Sequence, residues 1–121
     1  MSSTETTYAE FGLTRAEWIT ETPRPLLTVI VARDGQRFSA CCPELDLLTE
    51  MDTADAALAD LLSMMREYAE EYQADRARFC RSPNRAHHHP FIQEILRCAD
   101  LWELREKVSV RFGHLHLSPI P

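Results

Sequence analysis

The chain has 121 residues, of which 45% are hydrophobic and 26% charged, and its net charge is −6. This composition is typical of one folded domain and excludes a disordered or collagen-like chain. No apolar run approaches the roughly 20 residues of a membrane helix, and the polar N-terminus carries no secretory signal. We therefore expect a soluble, cytoplasmic protein.

Charge is divided unevenly along the chain. Residues 1–75 carry 15 acidic and 5 basic side chains, whereas residues 76–121 carry 4 acidic and 8 basic ones. Such a division indicates two functional halves, or one half that complements another surface. We accordingly predict a polar N-terminal extension with a short helix (1–25), a central domain (26–75) and a basic C-terminal segment (76–121) packed on that domain.

The predicted elements begin with a helix and a β-hairpin. Thr14 and Glu17 fit a capping box, which predicts a short helix. Residues 26–33 are rich in β-branched side chains, the Asp34-Gly35 pair is a strong hairpin turn, and residues 36–42 alternate like a return strand. Both faces of the first strand are mostly apolar, so we expect this chain or another to cover each of them.

A third strand is predicted at 47–50, followed by a long helix that Asp52 or Thr53 caps. Apolar side chains recur every three or four positions along this helix, which makes it amphipathic. They are Ala54, Ala57, Leu58, Leu61, Leu62, Met65, Tyr68, Ala69 and Tyr72.

The C-terminal segment is predicted to be helical and to end in a strand. Ser82-Pro83-Asn84 breaks the chain, Pro90 suits the first turn of a helix, residues 101–107 suit a short helix, and residues 108–117 suit a bulged strand or a tight pair. The fold class is therefore α+β: a small antiparallel sheet, a long amphipathic helix and this helical segment.

Residues 26–74 resemble the HicB-like antitoxins. The motifs that carry the resemblance are Thr28-Val29-Ile30-Val31, Asp34-Gly35, Cys42-Pro43-Glu44-Leu45, Thr49, Asp52-Thr53, Ala57-Leu58 and Leu61. The chain departs from the family at Met51, where a glycine is usual. The resemblance implies a partial RNase H-like fold of three antiparallel strands, a helix and a further strand, for which residues 108–117 are the candidate.

The resemblance also implies a function. Members of this family often dimerise or assemble further, and many neutralise a small basic RNase toxin by covering its active site. Longer members bind DNA through a C-terminal helix-turn-helix or ribbon-helix-helix. Residues 76–121 match neither motif, so DNA binding is not carried over.

Acidic side chains are the candidate partner-binding residues, because complementary charge speeds encounter and selects partners. They are Glu44, Asp46, Glu50, Asp52, Asp60, Glu67, Glu70 and Glu71. We predict a non-enzymatic antitoxin that masks a small basic RNase toxin and forms a homo-oligomer. The alternative is a solitary, self-associating structural or regulatory module of the same fold, with residues 76–121 covering the second sheet face and no toxin.

A weaker set of candidates is basic. Arg76, Arg78, Arg81 and Arg85 could contact nucleic acid, or they could pair with the acidic half of a second copy. Four basic residues without interleaved aromatic side chains are a modest footprint for nucleic acid.

The histidines and cysteines yield no predicted site. His87-His88-His89, flanked by Cys80 and Cys98, has zinc-ligand chemistry, but the spacing matches no standard site. We predict a solvated turn there, with no metal or cofactor. His114 and His116 are expected to be exposed strand residues.

Nothing in the sequence indicates catalysis either. No Cys-x-x-Cys pair is present, and Cys41-Cys42 is predicted to lie in a strand, with one thiol on each face. The acids from Glu44 to Asp52 lie in a connecting region and lack the spread over several strands that a two-metal site requires. No catalytic or phosphate-binding motif occurs, so we expect no enzyme.

Overall fold

A computed structural model describes residues 26–114 of the chain. The predictions for a helix within 1–25 and for His116 lie outside the described residues. His114 is described in its backbone only.

Four strands form one sheet in the order β3-β2-β1-β4. The strands are β1 (Leu27–Asp34), β2 (Arg37–Cys42), β3 (Leu47–Met51) and β4 (Val108–His114). The first three run antiparallel, as predicted, and Gly35 takes the left-handed conformation that the tight turn between β1 and β2 needs. The fourth strand is parallel to β1, so the sheet is mixed rather than wholly antiparallel.

Within residues 26–114, four helices lie between β3 and β4. They are α1 (Ala54–Ala74), α2 (Arg76–Arg81), α3 (His89–Arg97) and α4 (Leu101–Glu106), with short 3-10 turns at Pro43–Leu45 and Ala86–His88. The hydroxyl of Thr53, not the Asp52 carboxylate, caps α1 by accepting the N–H of Ala56 at 3.1 Å. Asp100 caps α4 in the same way through the N–H of Glu103.

The hydrophobic core lies between one face of the sheet and α1. The predicted apolar side of α1 is the buried one, and the sheet contributes alternate side chains of β1 and β2. The α3 and α4 helices add Ile92, Ile95 and Leu104 to the same core. This combination of a four-stranded sheet and a long helix confirms the predicted α+β class.

The second face of the sheet carries Ile30, Ala32, Ser39, Cys41 and Leu48. The helices of residues 76–106 pack mainly against α1 and one another, on the other side of the sheet, so they do not cover this face. Ala32 and Ser39 are nevertheless buried, and Ile30 and Cys41 are half-buried. Leu48 is 64% exposed. The expectation that the C-terminal segment covers the second face is therefore wrong for the described residues.

Candidate partner-binding site

An acidic flank runs along α1 beside the β3 edge of the sheet. Asp60, Glu67 and Glu71 follow one another at helical spacing, so they project from one side of α1. The Asp60 carboxylate accepts a hydrogen bond from the hydroxyl of Thr49 in β3, which shows that this side faces β3. Asp46 stands just before β3 at a positive φ of 55° and is exposed. We call Asp46, Asp60, Glu67 and Glu71 the acidic flank.

None of these four carboxylates forms an ion pair with another described residue, and only Asp60 among them has a side-chain hydrogen bond, to Thr49. Asp46, Glu67 and Glu71 are exposed, and none of them forms an ion pair with a side chain in residues 26–114. Residues 44–75 hold ten acidic side chains and one basic side chain. The flank is therefore a concentrated negative surface with charges that remain available to a partner.

Glu44 has an internal role instead. Its carboxylate accepts the backbone N–H of Thr28 at 3.0 Å and lies 3.8 Å from the Cys42 thiol. The N–H of Thr28 points towards the β2 side of β1. The register places Pro43 opposite Thr28, and β2 has already ended at Cys42. The carboxylate thus takes the place of the missing strand partner and closes the end of the ladder.

The other predicted acids are partly neutralised within the fold. The Arg37 guanidinium pairs with Glu50 at 3.2 Å and with Asp52 at 3.4 Å. Arg66 pairs with Glu70 one turn along α1 at 3.1 Å. These pairs are exposed, so each adds little to stability, but they lower the net charge that Glu50, Asp52 and Glu70 offer to a partner.

An aromatic cluster joins the second half of α1 to residues 79–89. The Tyr68 hydroxyl lies 2.6 Å from Nδ1 of His88, and the Tyr72 hydroxyl donates to the carbonyl of Arg85 at 3.0 Å. Phe79 stacks on the Tyr72 ring with centroids 4.9 Å apart. The cluster fixes the C-terminal segment on α1.

His88 departs most from its prediction as a solvated residue. It is 2% exposed, and its Nε2 has no hydrogen-bond partner among the described residues. Burial lowers the pKa of His88, and the neighbouring His87 lowers it further. His87 is exposed and His89 is half-buried, so only the middle histidine of the three is part of the core.

The four arginines of the basic candidate set lie in different surroundings. Arg85 places its guanidinium 5.3 Å from the centroid of the Tyr68 ring. Arg78 pairs with Asp75 at 2.9 Å and lies over the Phe79 ring. Arg76 and Arg81 are exposed and form no ion pair within residues 26–114. The aromatic neighbours come partly from α1, which the local sequence could not reveal.

The cysteines are free thiols with structural surroundings. Burial raises the pKa of Cys42 to about 12, and the nearby Glu44 carboxylate adds to this effect. Burial also raises the pKa of Cys98. Both thiols are therefore protonated and unreactive at neutral pH. In the described part of the chain, no group of three or more His, Cys, Asp or Glu side chains is arranged to hold a metal ion.

An open groove of about 250 Å³ lies beside the start of α1. Its lining residues are Val31, Arg33, Phe38, Ala54, Phe112 and Gly113. Only Arg33 among them is charged, so the groove brings together no set of titratable side chains for catalysis. Within residues 26–114, no helix is long and apolar enough to cross a membrane.

Two comparisons with known proteins bear on this geometry. A PHD-like family model, described as an antitoxin of RelE/RelB toxin-antitoxin systems, matches residues 17–110. A crystal structure from Syntrophomonas wolfei subsp. wolfei, described as an antitoxin part of a proposed toxin/antitoxin system, has a similar fold with a TM-score of 0.65. The two chains are 18% identical, and the match covers 79% of this chain and 67% of that one. No curated protein matches the sequence.

Proposed function

This chain belongs to the PHD-like family of antitoxins of RelE/RelB toxin-antitoxin systems, and we propose that it binds and masks a small basic RNase toxin through its acidic flank. Family membership confirms the antitoxin prediction, and antitoxins are regulatory proteins rather than enzymes. Membership also implies a toxin partner, which favours this proposal over a solitary module.

The observation that carries the proposal is the set of unpaired carboxylates on the flank. Asp46, Glu67 and Glu71 are exposed and lack basic partners among the described residues. An RNase that binds the phosphate backbone needs a basic surface. A protein that covers such a surface gains both encounter rate and specificity from a complementary negative one.

The finer assignment to the HicB-like antitoxins is part of the same proposal. Its support is the Cys42-Pro43-Glu44-Leu45 motif, in which Pro43–Leu45 form a 3-10 turn and Glu44 closes the β1 ladder. The motif thus has a structural task in joining β2 to β3. The sheet order and the position of α1 agree with the arrangement that the resemblance implies.

The test is a titration of the purified toxin of the same system with the full chain. Wild type should bind stoichiometrically and inhibit cleavage of RNA by the toxin. The double charge reversal Glu67→Lys/Glu71→Lys should weaken binding by about tenfold or more, because two attractive charges become repulsive. The effect should shrink at high salt, which screens exposed charges.

A matched control keeps the change in net charge the same. Asp34→Lys/Glu106→Lys also reverses two exposed acids, but both lie away from the flank. The control should bind within about threefold of wild type, since distant exposed charges act weakly. An equal loss of toxin affinity in both double variants would show that the acidic flank is not the binding surface. A toxin that does not cleave RNA would contradict the proposal that the partner is an RNase.

A further inference from the structure

Three polar side chains from three different helices meet beside the aromatic cluster. Tyr72 lies in the last turn of α1, Cys80 in α2 and His89 at the first position of α3. The Cys80 sulfur lies 3.7 Å from the Tyr72 hydroxyl oxygen and 3.9 Å from Nδ1 of His89. We call these three residues the thiol cluster. A thiol with an imidazole in reach has the arrangement of an activated nucleophile.

The hydrogen bonds of Tyr72 determine how the thiol is held. The Tyr72 hydroxyl donates to the Arg85 carbonyl at 3.0 Å, so its oxygen is left to accept from Cys80. Nδ1 of His89 is a second acceptor when the ring hydrogen is on Nε2. The thiol proton of Cys80 therefore lies between two acceptors, and one of them, the imidazole, is a base.

Tyr72 can also stabilise the sulfur after the proton has left. Burial and the neighbouring Cys80 raise the pKa of Tyr72 to about 12, so the phenol stays protonated at neutral pH. Its hydroxyl can turn from the Arg85 carbonyl to donate to a thiolate, and the released carbonyl belongs to an exposed residue that water reaches. The thiol cluster thus provides a base for the thiol and a donor for the thiolate.

Two cations stand beside the thiol cluster. Arg76 lies one turn before Cys80 on the same side of α2. Against the larger, raising effect of burial, Arg76 lowers the pKa of Tyr72, which places its guanidinium near that hydroxyl. Arg81 directly follows Cys80, and both arginines are exposed without an ion pair in residues 26–114. This positive surface favours both a thiolate and an anionic reagent.

The other three cysteines lack this combination. Cys42 is buried beside the Glu44 carboxylate, and burial is the main reason that its pKa is raised to about 12. Cys98 is buried as well, and its thiol donates to a backbone carbonyl. Cys41 is half-buried in β2. Cys80 alone among the four is exposed, so it is the thiol that a dissolved reagent reaches.

We propose that Cys80 is a modification site that forms a mixed disulfide with a small anionic disulfide of the glutathione class. The thiol proton of Cys80 passes to His89, and the sulfur attacks one sulfur of the reagent. A new S–S bond forms, the original S–S bond breaks, and the departing thiolate takes the proton from His89. Cys80 is oxidised and the reagent is reduced to one free thiol, so no further oxidant is needed.

The site is separate from the proposed toxin surface. The reacting groups are a thiol, an imidazole and a phenol hydroxyl, and no carboxylate of the acidic flank takes part. The three helices that supply these groups meet where the C-terminal segment is attached to α1. The modification proposal therefore stands whether or not the toxin proposal is correct.

A direct test treats the full, reduced chain with oxidised glutathione at about pH 7. Mass spectrometry of the digested protein identifies the modified cysteine. Cys80 should be modified first, and half-buried Cys41 should react at least about tenfold more slowly. Cys80→Ser should abolish the fast reaction. Faster modification of Cys41 than of Cys80, or a native chain that is not modified, overturns the proposal.

A pair of histidine variants tests the base. His89→Gln should slow the modification of Cys80 at about pH 7 by about tenfold or more, because glutamine can form hydrogen bonds but cannot take the proton. His87→Gln is the matched control, since His87 is exposed and is not the histidine beside Cys80. It should react within about twofold of wild type. Equal slowing in the two variants would contradict the role of His89.

The pH dependence of the rate separates a base from a packing residue. At about pH 9.5 an ordinary thiol ionises without help, so His89→Gln and wild type should react at similar rates. A variant whose packing is disturbed would differ from wild type at both pH values. Equal slowing of His89→Gln at about pH 7 and 9.5 would therefore overturn the assignment of His89 as the base.

The charge of the reagent is tested with two disulfides of opposite charge. Oxidised glutathione is negatively charged at neutral pH, whereas cystamine is positively charged. Arg76→Gln/Arg81→Gln should slow modification by the first and speed modification by the second, and both changes should shrink at high salt. Arg105→Gln/Arg111→Gln removes the same charge from exposed positions on α4 and β4 and is the control. Equal changes in both double variants would contradict selection by the two cations.

Discussion

The two halves of α1 are attached to the rest of the protein by different kinds of contact. The first half packs Leu58, Leu61 and Met65 into the hydrophobic core against the sheet. The second half uses Tyr68 and Tyr72, whose hydroxyls make directed bonds to residues 85–88. Apolar packing tolerates changes of pH and angle, whereas a directed bond between buried polar groups depends on geometry and protonation. The first half therefore supplies most of the stability, and the second makes the position of the C-terminal segment specific.

The largest expected effect comes from the apolar half. Leu61→Ala removes a side chain that is 0% exposed and leaves a cavity between α1 and the sheet. The free energy of unfolding should fall by about 2–5 kcal/mol, measured by urea denaturation. Leu48→Ala, at an exposed position, is the control and should change it by less than about 0.5 kcal/mol. Similar losses in both variants would mean that α1 does not depend on this core.

A smaller loss is expected from the polar half. Tyr68→Phe removes the only partner that His88 has among the described residues, so both ring nitrogens become unsatisfied. The expected cost is about 1–3 kcal/mol, measured in the same way. Tyr72→Phe is the matched control, and it should cost less because the carbonyl it releases belongs to exposed Arg85 and can bind water. A larger loss of unfolding free energy for Tyr72→Phe than for Tyr68→Phe would contradict this prediction.

The pH dependence should also separate the two halves. Burial lowers the pKa of His88 below its ordinary 6.5, so the folded state holds the neutral ring and the unfolded chain takes up the proton first. The stabilisation is complete above the unfolded pKa and is lost as the pH falls from about 6.5 through the folded pKa. Chemical denaturation of wild type and His88→Phe at about pH 7.5 and 5.5 measures this loss. The free energy of unfolding should fall less for His88→Phe than for wild type on acidification. Equal falls would show that the pH-sensitive group is not His88.

The smallest expected effect is at the rim of the aromatic cluster. The Arg85 guanidinium lies 5.3 Å from the Tyr68 centroid and 5.6 Å from that of Phe79. Arg85→Ala should lower the free energy of unfolding by about 0.5–1 kcal/mol, as expected for an exposed cation over aromatic rings. Arg81→Ala is the control, since Arg81 is also exposed and lies over none of the described rings. Equal free energies of unfolding for both variants would show that the Arg85 cation–π contacts do not contribute to stability.

Local patterns in the sequence were sufficient for the first half of the fold. The Asp34-Gly35 turn, the alternation in β2 and the helical spacing of α1 each involve neighbours within a few positions, so the sequence carries them directly. The parallel pairing of β4 with β1 is different, because nothing near Val108 identifies Leu27 as its partner. The parallel pairing that makes the sheet mixed was therefore visible only in the structure.

The candidate site was predicted less well than the fold, for two physical reasons. A count of acids does not show which of them are already bonded, as Glu44 is to Thr28 and as Glu50 is to Arg37. A run of three histidines also suggests a segment exposed to solvent. Yet His88 has the same helical spacing as Ile92 and Ile95, and this phase was the one signal that could have identified it as buried.

The pairing of β4 with β1 also determines when this protein can fold during its synthesis. The two strands are separated by roughly 80 residues, so the sheet cannot close until nearly all of the described chain has left the ribosome. Until then, the edge of β1 that later pairs with β4 remains unpaired and apolar. An unpaired edge of this kind is susceptible to proteolysis and to incorrect pairing with other strands. A nascent or truncated chain that ends before Val108 should therefore be short-lived in the cell.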